Sequence, residues 1–154
     1  MNAPDRPGVL VLPPILYFGA LVFGTGLEFL RNWDLPVPTA VRWIAGLVGV
    51  AAFALGLRAR GAFERAGTNV NPAQPATVLV AGGPFRFSRN PMYVSMTICL
   101  VAIAIATRVA WFLVLLVPVL ALMHWGVVLR EERYLSGKFG APYDEYRRRV
   151  RRYV

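Results

Sequence analysis

The chain has 154 residues, enough for one domain; 56% are apolar, only 16% are charged, and the net charge is +9. A soluble domain carries about 25% charged residues, so this composition excludes a water-soluble globule and points to a chain built into a bilayer. Cys99 is the single cysteine, which excludes an intrachain disulfide; a small core residue is its plainest role.

Runs without charge place the helices, since about 20 apolar residues cross about 30 Å of hydrocarbon. Residues 9–27 hold 19 uncharged positions, and the first span is read as 9–30. It lacks a basic flank beyond Arg6 and carries Pro13, Pro14, Gly19, Gly24 and Gly26. That suits a retained, closely packed membrane helix rather than a cleaved signal. The second span is read as 38–57, with Arg42 near one end able to snorkel to the headgroups. The third is 91–107 and the fourth 109–130, with only Thr107 and Arg108 to turn between them. The expectation is an all-α integral membrane helical bundle: about four transmembrane helices in one domain, 1–154. A loop spans 61–90 and a tail 131–154, where Gly140 and Pro142 break the chain before a basic, aromatic-rich amphipathic helix.

The basic residues cluster. Arg58, Arg60, Arg65, Arg86 and Arg89 lie in 58–90, and eight more lie in 130–154. The positive-inside rule then puts the loop, the tail and, by parity, both termini in the cytoplasm, as expected of a bacterial inner membrane protein. The arginines would also suit nucleic acid, but four spans argue for membrane lipids as partners instead.

Two constellations could carry chemistry. The run from Gly82 to Tyr93 leads into the third span. Its glycines allow close backbone approach to a ligand, Pro91 suits a first helical turn, and Asn90 suits an N-cap. The free N–H groups of such a helix start suit a carboxylate. The plainer reading is a capped helix flanked by snorkelling arginines. The second is Glu131-Glu132, a carboxylate pair in a chain with eight acidic residues. One of them could point into the bundle and bind an amine, a ribose hydroxyl or a cation; the plainer reading is a solvated helix end. His124, seven residues before Glu131, falls on the same α-helical face and is a further candidate, with a structural histidine as the plainer reading.

The stretch Gly83 to Tyr93, then Glu131-Glu132, Leu135, Phe139-Gly140, Tyr143, Tyr146 and Arg152, resembles the isoprenylcysteine carboxyl methyltransferase and phospholipid methyltransferase superfamily. The resemblance covers about 71–153. It implies S-adenosylmethionine as cofactor, with Gly83, Pro84, Arg89, Asn90, Pro91, Tyr93, Glu131 and Glu132 lining its site; His124 joins the cofactor candidates on helical spacing alone. Arg152 matches a family arginine near the substrate end, and with Asn90 it forms the expected catalytic pair. Asn90 stands where the family most often has histidine, and an asparagine cannot exchange a proton at neutral pH. Displacement at a sulfonium methyl needs alignment rather than a general base, so the departure is tolerable. The expected acceptor is lipophilic: an isoprenylcysteine-like carboxylate first, a phospholipid amine or a thiol as alternatives. The rivals are a small dimeric four-helix transporter using Glu28 and a membrane glutathione transferase; oligomeric state stays open.

Overall fold

The computed structural model describes residues 5–154; positions 1–4 of the expected domain lie outside the described residues. Proline starts the helices. Pro13 and Pro14 open α1 (Pro13–Leu30), and Pro91 opens α3 (Pro91–Thr107), positions where a missing N–H loses no hydrogen bond. The first helix therefore begins at Pro13 rather than at 9. The segment before it runs as a strap along the fourth helix, its Leu10 N–H bonded to the Gly126 carbonyl at 3.1 Å.

Two helices outrun their apolar spans. α2 (Thr39–Arg65) continues well past position 57 into the expected loop. The fourth helix continues through α4 (Trp111–Ala121), a π-helical segment (Leu122–Val128) and α5 (Leu129–Phe139), an unbroken 29 residues. Both corrections have one cause: Ala, Arg, Glu and Leu are strong helix formers, so helical hydrogen bonding persists where hydrophobicity ends. Gly140, at φ +58°, then turns the chain into α6 (Ala141–Arg149). Three helices are long and apolar enough to cross a membrane, and α3, at 17 residues, is the shorter fourth. The chain is an all-helical membrane bundle, without strands among the described residues.

Small residues set the packing. A Cβ at Gly56 would lie 2.6 Å from Ser95 Oγ, and one at Gly49 would lie 3.1 Å from Ala102 Cβ, so α2 and α3 pack backbone to backbone. A Cβ at Gly24 would run into the Phe112 ring, which joins α1 to α4. The core between α1, α3 and α4 holds Tyr17, Leu100, Phe112 and Val127. Outside it, Phe23 is 71% exposed and Leu47 72%, an outward apolar surface that a bilayer covers. The tight turn after α3 is held by Arg108, at φ +68°, whose Nε donates to the Leu35 carbonyl at 3.0 Å. Arg42 donates to the Ala106 carbonyl at 3.0 Å, closing the end of α3.

Candidate active site

At the charged end of the bundle the helices separate around a cavity of about 640 Å³. Its apolar wall comes from Phe53 and Leu57 on α2 and from Met96, Leu100 and Ile103 on α3. Its roof is the segment 67–80, which is folded rather than structureless. Thr68 Oγ1 accepts from the Thr77 amide at 3.0 Å, and Asn69 Nδ2 donates to the Pro75 carbonyl at 2.8 Å. The Ala76 amide donates to Tyr134 Oη at 3.1 Å, tying the roof to α5.

The polar wall is built from α3 and α5. Glu132 is buried and held by two guanidiniums: Arg89 Nη2 at 3.0 Å, and Arg152 Nε and Nη2 at 2.9 and 2.8 Å. It is no solvated helix end; two cations compensate its burial. Glu131 differs. The Tyr93 hydroxyl, 2.8 and 2.9 Å from its two oxygens, is its one donor, and no cation pairs with it among the described residues. Arg89 completes the asymmetry. Its side chain is 9% exposed, and its Nε and Nη1 are buried without a partner among the described residues. Such donors are costly to bury unless something accepts from them.

Arg89, Asn90, Pro91, Tyr93, Glu131 and Glu132 all line the cavity. Four other expected residues do not. Gly83, at φ +60°, opens a 3₁₀ turn with Pro84 (Gly83–Arg86), and neither residue lines the cavity. That turn delivers Phe85, which does line the cavity. Arg152 stands behind Glu132. His124 leaves the face of Glu131 because the π-helical segment holds more residues per turn than an α-helix; its Nδ1 lies 2.8 Å from Tyr153 Oη instead.

Asn90 takes the N-cap position of α3, its carbonyl accepting from the Val94 amide at 3.0 Å, but its side chain makes no capping bond. Its Nδ2 donates to the Arg152 carbonyl at 2.9 Å, and the neighbouring Arg89 amide donates to the Arg151 carbonyl at 2.9 Å. The carboxamide is drawn away from α3 by the last residues of the chain, which it fastens across the site. Tyr143 and Tyr146 on α6 close the remaining side, with Tyr146 Oη donating to the Phe85 carbonyl at 2.8 Å. Burial pushes the Tyr143 hydroxyl up to about 12 and raises Tyr146 as well, so both stay neutral donors at physiological pH.

Sequence reasoning missed Arg60, Asn69, Asn71, Gln74 and Tyr134, all of which line the cavity. Only the polar side chains in the proline-rich loop could have signalled the amides. Glu28 lies far along α1 from the site. It accepts from Asn32 Nδ2 at 2.6 Å and from the Trp33 amide at 3.2 Å.

A family model described as phospholipid methyltransferase matches residues 41–142, more than half of the chain, from the start of α2 through the Glu131-Glu132 pair. No curated protein matches.

Proposed function

The chain belongs to the phospholipid methyltransferase family, and from that premise we propose that its cavity binds S-adenosylmethionine beside a lipophilic acceptor, methylated on a carboxylate as in an isoprenylcysteine-like molecule. The observation that carries this reading is the uncompensated pair in one apolar cavity: Arg89 with two unpartnered buried donors, and Glu131 with no cation. Ligands with one anionic and one cationic group satisfy both.

The residues present fit the cofactor. The volume lies within the ~300–1,000 Å³ of small-molecule sites. Glu131, oriented by Tyr93, would face the cationic part, and Asn69, Asn71 and Gln74 offer amides for a ribose and a base. When bound, S-adenosylmethionine supplies a methyl group already activated by its sulfonium charge. The protein's task is then alignment and dryness. Arg89, held by Glu132 through Nη2, would meet the acceptor carboxylate with a charge-assisted hydrogen bond from one of its free donors, Nε or Nη1. The apolar wall takes the lipid chain. The roof, fastened through Tyr134, keeps water from the reacting centre. Asn90 has no proton to move; it keeps the tail, and with it Arg152, against Glu132.

A phospholipid amine is the second reading, favoured by the unpaired Glu131 carboxylate. Transfer of tritiated methyl from S-adenosylmethionine into a lipid extract separates the two. The expected label is released by base as volatile methanol, the mark of an ester. A base-stable label that runs with the phospholipids on chromatography would select the amine. Calorimetry showing binding of glutathione and none of S-adenosylmethionine would overturn both.

A further inference from the structure

A second depression, of about 480 Å³, shares only Glu132 with the cavity and opens beside α6. Arg133, Arg147 and Arg152 converge on it, with Ser136 at its edge. Three guanidiniums face one carboxylate, and that carboxylate is already held by Arg89 as well. Arg133 and Arg147 have no acid partner among the described residues, and Arg152 Nη1 is unused once Nε and Nη2 have bonded Glu132. Asp144 on α6 is engaged by the Ser136 hydroxyl at 3.1 Å. Unlike these, Arg149 on the same helix pairs with Glu145.

The surroundings place this depression at the level of lipid headgroups. Tyr153 follows Arg152 directly and bonds His124. The next residue, Trp125, is 65% exposed, and one helical turn further Leu129 lines the depression. Exposed Trp and Tyr where an apolar span meets its first charged residues, here Arg130 to Arg133, mark the membrane interface, and basic pockets there suit anionic headgroups. Phosphate oxygens match guanidinium forks bidentately, and several forks can share one phosphate.

We propose that Arg133, Arg147 and Arg152 form a phosphate-binding site that holds the headgroup of an anionic phospholipid, separate from the methyl-transfer cavity. The site gives the charged end of the bundle a specific lipid ligand rather than a diffuse positive surface.

The test uses the whole protein in mild detergent, with phosphatidylglycerol as probe and bound lipid counted by native mass spectrometry. Arg133→Gln with Arg147→Gln should lower phosphatidylglycerol affinity about tenfold or more. Arg148→Gln with Arg149→Gln removes the same charge from α6 outside the depression, and should lower it less than about threefold. S-adenosylmethionine binding, measured by calorimetry on the same samples, should be unchanged in both pairs, which also reports that they fold. Equal losses in the two pairs would overturn the site, since they would show general surface charge. So would no loss in the first pair. Displacement of the lipid by inorganic phosphate at equal concentration would overturn the lipid as source. The lipid measurement does not depend on methyl transfer, so failure of one reading leaves the other standing.

Discussion

Glu131 and Glu132 are neighbours of identical chemistry, yet their replacement by Gln should have opposite consequences. Glu132 is 7% exposed, receives two guanidinium N–H bonds from Arg152 and pairs with Arg89 at 3.0 Å. Glu132→Gln leaves Arg89 buried with no counter-charge and turns an amide N–H₂ toward guanidinium donors. Breaking a buried pair from one side costs about 3–5 kcal/mol. Arg152 is 35% exposed and rehydrates, which places the loss at the lower end, about 3 kcal/mol. Glu131→Gln keeps an oxygen to accept from Tyr93, so stability should change by less than about 1 kcal/mol. Its effect should fall on the ligand: about a tenfold loss of S-adenosylmethionine affinity, about 1.4 kcal/mol. Reversible unfolding in sodium dodecyl sulfate gives the first quantity and calorimetry the second. Wild-type stability in Glu132→Gln, or a stability loss in Glu131→Gln equal to it, would refute the division of roles.

Arg89→Lys keeps a charge for Glu132 but removes the two free donors; acceptor KM should rise about tenfold with stability nearly kept, read by steady-state methyl transfer. Asn90→Ala should lose about 1 kcal/mol with the Arg152 carbonyl bond, measured by unfolding, while Asn90→His, whose ring N–H can still donate there, should keep methyl transfer within about tenfold. Gly56→Ala, which raises helix propensity, should nonetheless destabilise by about 1–3 kcal/mol because its Cβ meets Ser95 Oγ, again measured by unfolding. In a Cys99→Ala background, cysteines placed at Ala66 and Ser136 should label only from the cytoplasmic side; labelling from outside would reverse the proposed orientation.

The runs of uncharged residues were enough to establish an all-helical membrane bundle, because the bilayer thickness converts composition directly into helix length. The start of α3 at Pro91 and the break at Gly140 were equally local, since proline and glycine constrain the backbone wherever they stand. The motif residues around Arg89 and the glutamate pair were readable through their resemblance to a family. What each residue does was not. Asn90 does stand at the N-cap of α3, but its side-chain partner could not be read locally, because Arg152 lies 62 positions away. Glu131 and Glu132 cannot be told apart until α3 brings Tyr93 to one and Arg89 to the other. His124 kept its distance in sequence from Glu131 but lost its shared face to a π-helical segment, whose Gly126 carbonyl also accepts from the Leu10 amide of the strap. Membership of the membrane is a one-body property of each segment. The division of labour inside the site depends on partners from distant segments, and only the packed helices supply them.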